Sequence, residues 1–418
     1  MNHHSSSPNS NCKKCCGSKE SQREQVAHYY STVLSSNRDL KSSACCIGQQ
    51  PGAHKAICSQ LPDEILEKFY GCGSPIPPAL KDAVVLDLGC GTGRDVYICS
   101  ALVGPRGRVV GLDMLESSLQ VARKYQNMLA KQFVPELEGS SNVEFLCGYM
   151  EQLEEAGVKP ESCDVVISNC VINLVSNKEL VFRQVYHTLK RGGEFYFSDI
   201  YSDRRIKEEA RKDPLLLGEC LGGALYLQDF QNIVESIGFL DPRMVTCTKV
   251  EHSLPDQVES KVRNVTFYSC TFRMFRLDGL LERKREDYGE EAMYLGTLEE
   301  CPDVFELDVD YRFPKGTSVA VDQNTANILR YSRYAPYFYC YRMVVYRKGL
   351  VNMLQKSLKE FKDAVRQEKI KEDFSKSEYH VTKGEKIRAN RLQAQYARKA
   401  TKTWNMINTL LERQSRGF

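Results

Sequence analysis

The sequence predicts an α/β fold built on a doubly wound parallel sheet, followed by a small α+β domain and a helical C-terminal tail. Short β-branched runs alternate with helical stretches between residues 83 and 199, and a glycine-rich loop follows the first of these runs. The alternation stops near residue 240. Nearly continuous apolar strands separated by helices are typical of a parallel sheet that is covered by helices on both faces.

The composition limits the class of protein. A chain of 418 residues with 42% hydrophobic and 27% charged residues can form two or three globular domains. No apolar run approaches the roughly 18 residues of a membrane span, and the first ten residues lack the apolar core of a signal peptide. The 17 cysteines therefore indicate reduced thiols in a cytoplasmic protein rather than a disulfide scaffold.

Five runs are predicted to be the strands of the sheet: Ala83–Leu88, Arg108–Asp113, Val143–Gly148, Asp164–Asn169 and Glu194–Asp199. Between them, Leu115–Lys131 and Lys178–Leu189 have helical character, and Arg191-Gly192-Gly193 is predicted to end the second helix. Further along, Val265–Phe275 is predicted to be a strand and Thr325–Tyr331 a short helix. We expect a disordered leader over 1–25, the α/β domain with an N-terminal extension over 26–240 and the α+β domain over 241–340.

The tail, residues 341–418, is basic and amphipathic. It holds 19 Lys and Arg against 8 Asp and Glu, although the whole chain carries only +3. Apolar residues recur at helical spacing, which favours a packed or oligomeric helix pair. The alternative is a nucleic-acid-binding tail that uses Tyr396 and Trp404. In the leader, Cys12, Cys15 and Cys16 have spacing that suits a soft metal, but no second pair accompanies them.

The most specific single motif is the loop LDLGCGTGR, which begins at Leu86. Its glycines, Gly89, Gly91 and Gly93, follow a strand and open a helix, where backbone N–H groups can face a ligand. The spacing is G-x-G-x-G and not the G-x-G-x-x-G of dinucleotide sites. Asp113 ends the next strand 20 residues after Gly93, where a carboxylate can accept both hydroxyls of a ribose.

With Asp87 just before the glycines, this region resembles the class I S-adenosylmethionine-dependent methyltransferases. The resemblance implies that Asp87 and the loop face the methionine part of S-adenosylmethionine. It also implies that Met114 and Met150 flank the adenine and that Asn169 lies near the sulfonium. The alternatives are a glycine-rich turn in another α/β protein and an NAD site.

Three cysteines lie in unusual contexts outside the loop. Cys72 precedes the first strand in YGCG, Cys170 follows the fourth strand in SNCVINL, and Cys220 lies after the fifth strand in GECLGGALY. The carboxyl ends of parallel strands border the ligand crevice, so Cys170 should open onto the methyl group of the cofactor. Three thiols on separate segments suit a soft, thiophilic acceptor better than carbon, oxygen or nitrogen.

At these motifs the sequence resembles the arsenite methyltransferase family, over about residues 26–340. Further shared motifs are DLKSSAC, which ends at Cys45, FYGCG and GGEFYFSD. The resemblance implies that Cys72, Cys170 and Cys220 bind As(III), and that a fourth, N-terminal cysteine takes part in redox chemistry. Cys45 is favoured over its neighbour Cys46 for that role. Tyr70 would border the acceptor, and the 241–340 domain would support the arsenic site.

The family resemblance implies methyl transfer from S-adenosylmethionine to thiolate-bound As(III), giving mono- and dimethylated arsenicals in arsenic detoxification. Glutathione or thioredoxin would be the thiol reductant that resets a disulfide. We expect a monomer that binds neither membranes nor nucleic acid. The alternative is a methyltransferase for a small organic acceptor, which would need a base at the cleft. The role of Cys58 stays open, and the other cysteines are predicted to be structural: Cys90, Cys99, Cys147, Cys163, Cys247, Cys270, Cys301 and Cys340.

Overall fold

The computed structural model of the chain describes residues 17–34, 39–41 and 52–342. All of them belong to one compact unit, Met1–Val344. The strands of the central sheet are β1 (Val84–Leu88), β2 (Arg108–Asp113), β3 (Val143–Cys147), β4 (Cys163–Asn169), β5 (Leu189–Ser202), β6 (Leu225–Tyr226), β7 (Arg243–Lys249) and β8 (Phe267–Phe275). Their order is β3-β2-β1-β4-β5-β8-β7, and β6 pairs with β5.

The first five strands of this sheet are parallel, as the sequence predicted. β8 runs antiparallel between β5 and β7. β5 begins at Leu189, so the prediction that Arg191–Gly193 ends a helix is wrong. Gly192 N donates to Arg276 O at 2.7 Å and Arg276 N donates to Gly193 O at 2.9 Å, which keeps these glycines in the sheet.

Helices cover both faces of the sheet. The α-helices of the described residues are α1 (Gly17–His28), α2 (Gly52–Cys58), α3 (Asp63–Leu66), α4 (Arg94–Val103), α5 (Glu116–Phe133), α6 (Lys178–Thr188), α7 (Glu208–Arg211), α8 (Pro214–Gly218), α9 (Leu227–Ile237), α10 (Asp256–Val262) and α11 (Gln323–Tyr331). Successive strand residues alternate between two cores. Leu86 and Leu88 pack with α6 and α9, whereas Val85 packs with α4 and α5. The predicted doubly wound fold is confirmed.

The α+β region contains five further strands around its own core. These are β9 (Glu290–Tyr294), β10 (Val304–Glu306), β11 (Arg312–Pro314), β12 (Ser318–Val321) and β13 (Phe338–Arg342). β12, β9 and β13 form an antiparallel sheet, β10 pairs with β11, and α11 contributes Ile328 and Leu329 to the same core. The predicted helix at Thr325–Tyr331 is therefore confirmed.

Two predicted domain boundaries are wrong in detail. The stretch 243–275 supplies β7 and β8, so the central sheet continues past residue 240 and the α+β region begins after Phe275. The strand predicted at Val265–Phe275 is present as β8, but its antiparallel pairing interrupts the alternation of strands and helices that identified the sheet in the sequence. The predicted disordered leader, residues 1–25, is also too long, because Gly17–His28 forms α1 and Val26 is buried.

No described helix is long and apolar enough to span a membrane. The predicted tail helices lie outside the described residues, as do Cys12, Cys15, Cys16, Cys45 and Cys46.

Candidate active site

A cleft of about 270 Å³ opens at the carboxyl ends of β1, β2 and β4. This is the edge of a parallel sheet where strand ends and helix N-termini leave room for a ligand. Seven of the eight predicted cofactor residues line it, together with two of the predicted catalytic residues: Asp87, Gly89, Gly91, Asp113, Met114, Met150 and Asn169, with Tyr70 and Cys170.

The glycine loop forms one wall of the cleft. Gly91 has a φ of 53°, and no atom lies within 4 Å of the position that a Cβ would take there, so the backbone is open toward the cleft. Gly89 has a φ of 71°, and a Cβ would lie 2.7 Å from the Val171 side chain. Gly93, the eighth predicted residue, packs instead against Phe145, where a Cβ would lie 3.1 Å away. Gly93 therefore packs against the protein interior and is not part of the cleft wall.

Asp113 lies at the end of β2 and forms hydrogen bonds to two segments of the cleft wall, the glycine loop and the start of α5. Its Oδ2 accepts from Gly91 N at 2.8 Å and its Oδ1 accepts from Leu115 N at 2.8 Å. Burial raises the pKa of this carboxyl, and the surrounding backbone N–H groups oppose the shift. Each carboxylate oxygen can accept more than one hydrogen bond, so both can also receive the hydroxyls of a ribose. Loop, carboxylate and flanking methionines together fit S-adenosylmethionine.

Asn169 joins the cofactor side of the cleft to the thiol side. Its Oδ1 accepts from Cys72 N at 2.9 Å, and its Nδ2 donates to Asp95 Oδ2 at 3.0 Å. The Asp95 carboxylate also accepts hydrogen bonds from the buried Arg94 guanidinium. The Cζ atom of Arg94 lies 3.2 Å from the centroid of the Phe69 ring. Burial, with Asp95 nearby, raises the pKa of Asp87 well above its ordinary value. Sequence reasoning missed Arg94 and Asp95, although Arg94 ends the quoted LDLGCGTGR loop and Asp95 follows it directly.

The structure brings Cys72, Cys170 and Cys220 into one buried cluster. Cys220 Sγ donates to Cys170 O at 3.2 Å, and the Cys72 and Cys170 side chains are within hydrogen-bonding range. Cys170 lines the cleft, and Cys72 and Cys220 are buried beside it. Cys45 lies outside the described residues.

Two of these cysteines have backbone angles that residues with a side chain seldom adopt. Cys170 has a φ of 60° and Cys220 a φ of 61°, in the left-handed region. Such a conformation costs about 1–2 kcal/mol for a residue other than glycine. Strained backbone of this kind concentrates at functional sites, where the surrounding structure enforces it.

The surroundings of the thiol cluster disfavour charge. Burial raises the pKa of the Cys72 thiol. Burial, together with the nearby Cys220, raises the pKa of Asp199 to about 8, while burial lowers the pKa of Lys178 to about 8. The cluster is therefore suited to neutral thiols, or to thiolates whose charge a soft ligand neutralises.

Tyrosines from the N-terminal segment pack against the thiol cluster. Tyr29 OH donates to Glu219 Oε1 at 2.9 Å, Tyr30 OH donates to Gly218 O at 2.9 Å, and Tyr30 OH lies 3.8 Å from Cys220 Sγ. The Tyr30 ring also meets Tyr70 edge to face, with centroids 5.4 Å apart. On the other side of the cleft, α1 is attached by a hydrogen bond and ion pair from Arg23 to Glu151 at 2.9 Å. Sequence reasoning missed these contacts.

If the thiol cluster binds arsenic, as the family resemblance implies, removing the Tyr30 hydroxyl is expected to weaken arsenic binding while leaving the cofactor site intact. Tyr30→Phe keeps the ring against Tyr70 but loses hydrogen bonds beside Cys220, worth about 1 kcal/mol, or roughly fivefold in the KM for arsenite. The affinity for S-adenosylmethionine should not change. Tyr331→Phe, which alters an exposed tyrosine on α11, is the matched control. A fivefold loss of cofactor affinity with an unchanged KM for arsenite would contradict this role.

Comparison with known proteins identifies the family. Residues 79–238 match a methyltransferase domain, and residues 288–387 match the arsenite methyltransferase C-terminal domain. The second match continues beyond residue 340, where the sequence resemblance was expected to end.

Individual relatives agree with these two domain matches. The chain is 43% identical over 317 residues to the arsenite methyltransferase of Aquipseudomonas alcaligenes, covering 75% of this chain and 89% of that one. It is 38% identical to the human arsenite methyltransferase, over 76% of this chain and 83% of that one. The crystal structure of an arsenic(III) S-adenosylmethionine methyltransferase from Chlamydomonas reinhardtii superposes with a TM-score of 0.67 at 40% identity, covering 71% of this chain and 99% of that chain. This chain belongs to the arsenite methyltransferase family.

Proposed function

We propose that this protein transfers methyl groups from S-adenosylmethionine to trivalent arsenic bound by Cys72, Cys170 and Cys220. One observation carries the proposal: three buried thiols form a cluster whose central member, Cys170, lies in the wall of the cleft that contains the glycine loop. A methyltransferase for a small organic acceptor would need a base there instead. Thiolates are soft ligands and suit a soft acceptor.

The thiols can bind arsenic without being ionised beforehand. When As(OH)₃ exchanges its three hydroxyl groups for three cysteine sulfurs, each thiol proton leaves with a hydroxyl group as water. No net charge is created in the cluster, which agrees with the raised pKa of Cys72. The enforced backbone conformation of Cys170 and Cys220 fixes where these two side chains leave the backbone before arsenic arrives. Such preorganisation reduces the cost of binding.

The residues of the cleft hold the two substrates in line. Asp113 and the loop at Gly91 would bind the ribose and methionine parts, and Asn169 would fix Cys72 relative to the cofactor through its hydrogen bonds with Cys72 N and Asp95. S-adenosylmethionine supplies an electrophilic methyl group when bound. The lone pair of thiolate-bound As(III) is the nucleophile, so catalysis is largely positioning.

Methyl transfer formally oxidises arsenic to As(V), and two electrons must return it to As(III). We propose that the Cys45 sulfur attacks the arsenic-bound sulfur of Cys72, so that a Cys45–Cys72 disulfide forms while the As–S bond to Cys72 breaks. The electron pair of that bond returns to arsenic, and the thiol proton of Cys45 leaves to solvent. A thiol reductant such as glutathione or thioredoxin then reduces the disulfide by exchange. Lys41 N donates to Glu219 Oε1 at 2.9 Å, so the chain is anchored beside Cys220 four residues before Cys45.

The reaction can be tested directly. The reduced protein is incubated with As(III), glutathione and S-adenosylmethionine, and the arsenic species are separated and quantified. We expect mono- and dimethylated arsenicals. A protein that consumes S-adenosylmethionine with a small organic acceptor but leaves arsenic unmethylated would overturn the proposal. We further propose a monomeric, cytoplasmic enzyme without a nucleic-acid partner. Binding to arbitrary DNA or RNA that weakens steeply with salt would contradict the last point.

The tail is expected to be dispensable for chemistry. The residues that line the cleft all precede residue 221, and so do the three thiols of the cluster, Cys72, Cys170 and Cys220. A chain ending at Tyr346 should therefore keep methylating As(III). A chain ending at residue 387, where the family match ends, is the control for general effects of truncation. If the longer chain is active and the shorter one folds but is inactive, residues 347–387 contribute to the site and the prediction is wrong.

A further inference from the structure

A second pair of thiols lies on the last two strands of the central sheet. Cys247 on β7 and Cys270 on β8 are directly opposite each other, and their sulfur atoms are 3.2 Å apart. Opposite residues of antiparallel strands project from the same face of the sheet. The two side chains therefore already point together.

An irregularity in β7 creates this pairing. Arg243 and Met244 pair with Arg273 and Phe272, but beyond Val245 the register shifts by one residue. Without the extra residue, Cys247 would oppose Ser269 rather than Cys270. A β-bulge of this kind re-aims the side chains that follow it. Here it aligns two thiols.

The pair lies on the other face of the sheet from Cys72. Ser269 Oγ donates to Cys72 O at 2.8 Å, so Ser269 projects toward the face that carries Cys72. Neighbouring strand residues point to opposite faces, which places Cys270 on the other face. Cys270 packs there with the core that contains Tyr201 and Phe272. Thiol exchange between Cys270 and Cys72 would have to cross the sheet.

The pair is accessible from solvent. Cys247 is exposed, whereas Cys270 is buried, and β7 is the last strand in the sheet order. A ligand can therefore reach Cys247 from the open edge and then engage Cys270 without opening the sheet.

We propose that Cys247 and Cys270 form a second arsenical site, which binds trivalent arsenic carrying one carbon substituent. Such an arsenical, written CH₃As(OH)₂, has two exchangeable hydroxyl groups. Two As–S bonds form and two As–O bonds break, and each thiol proton leaves with a hydroxyl group as water. Arsenic stays trivalent, so no oxidant or reductant is needed. This inference does not depend on the proposed methyl transfer.

The number of thiols selects the ligand. Inorganic As(III) has three groups to exchange and binds best to three sulfurs. The contact at this site joins two sulfur atoms, Cys247 Sγ and Cys270 Sγ, so the pair offers two soft donors. Two preorganised thiols match an arsenical with one bond to carbon. The product of a first methylation, once trivalent, belongs to this class, and the site would retain it on the enzyme.

The test counts bound arsenical on the full chain, kept reduced with a phosphine. The protein is saturated with methylarsonous acid, and bound equivalents are counted by native mass spectrometry. We expect Cys247→Ser and Cys270→Ser each to bind one equivalent fewer than the unaltered protein. Cys147→Ser, which removes another exposed thiol from a sheet strand, should bind the full number. Equal numbers in all four proteins would overturn the proposal.

Alkylation provides a second readout that does not depend on the buried variant. Iodoacetamide should modify Cys247 readily in the free protein and slowly once methylarsonous acid is bound, and Cys270→Ser should abolish this protection. Unchanged alkylation of Cys247 would also overturn the proposal. Turnover of inorganic As(III) by Cys247→Ser should persist. The two proposals can therefore fail separately. Absence of arsenic methylation by the unaltered protein would argue against the proposed function, whereas failure of methylarsonous acid to protect Cys247 from alkylation would argue against the second site.

Discussion

Cys170→Ser and Cys220→Ser are each expected to abolish methylation of both inorganic As(III) and monomethyl-As(III). Every arsenical intermediate must be bound beside the methyl donor, and Cys170 is the thiol in the cleft wall, with Cys220 Sγ 3.2 Å from its carbonyl oxygen. Serine offers a hard oxygen in place of a soft sulfur. The arsenic would lose its alignment with the methyl group, and a displacement of about 1 Å can cost about 100-fold in rate.

Cys72 and Cys45 should behave differently. Inorganic As(III) needs a third ligand, and its methylation needs a disulfide to return two electrons. Monomethyl-As(III) has one bond to carbon and needs only two thiolates. Cys72→Ser and Cys45→Ser should therefore abolish the first methylation and leave the second largely intact. Each variant is assayed with both substrates, and the products are identified by arsenic speciation.

Cys163→Ser is the matched control for this series. Cys163 is 2% exposed, as is Cys170, but it lies at the opposite end of β4 from the cleft. Any loss of activity in Cys163→Ser measures the general cost of a serine in the core. The division of roles is wrong if all four variants lose both activities equally, or if Cys170→Ser still methylates either substrate.

The position of Cys170 could be predicted from sequence because it follows from topology. A residue just after an inner parallel strand lies at the ligand edge of the sheet whatever the details of packing. Cys72 and Cys220 lie outside strands, and only their motifs indicated that they join Cys170. The same topological argument placed Asp113 correctly at the tip of β2.

The contacts of the N-terminal segment could not be predicted in this way. Residues 17–28 are too polar to indicate a packed helix, and the attachment of α1 depends on a few specific contacts, such as that of Arg23 with Glu151, 128 positions away. The pairing of Cys247 with Cys270 was hidden for a different reason. A single extra residue in β7 shifts the register, and both cysteines read as structural in the sequence. Packing, not local pattern, decides both features.

Asp113→Ala is expected to weaken binding of S-adenosylmethionine by about 1.5–3 kcal/mol, or roughly 10- to 150-fold. The substitution removes the carboxylate that can receive two ribose hydroxyls. It also frees Gly91 N and Leu115 N, which now donate to that carboxylate, so the glycine loop loses its link to the end of β2. Both effects act on the cofactor rather than on the thiols. Calorimetric titration with S-adenosylmethionine measures the change.

Asp164→Ala separates the ribose contact from a general loss of stability. Asp164 also accepts a backbone hydrogen bond, from Val84 N at 2.9 Å, but it lies at the start of β4, at the edge of the sheet away from the cleft. This variant should bind S-adenosylmethionine normally, and Asp113→Ala should still bind As(III). Asp113→Asn should fall between the two, because its amide oxygen can accept one hydroxyl but its NH₂ group cannot replace the second acceptor. Unchanged cofactor affinity in Asp113→Ala would mean that the ribose does not lie at the end of β2, and the orientation inferred for the methyl group toward Cys170 would then have to be abandoned.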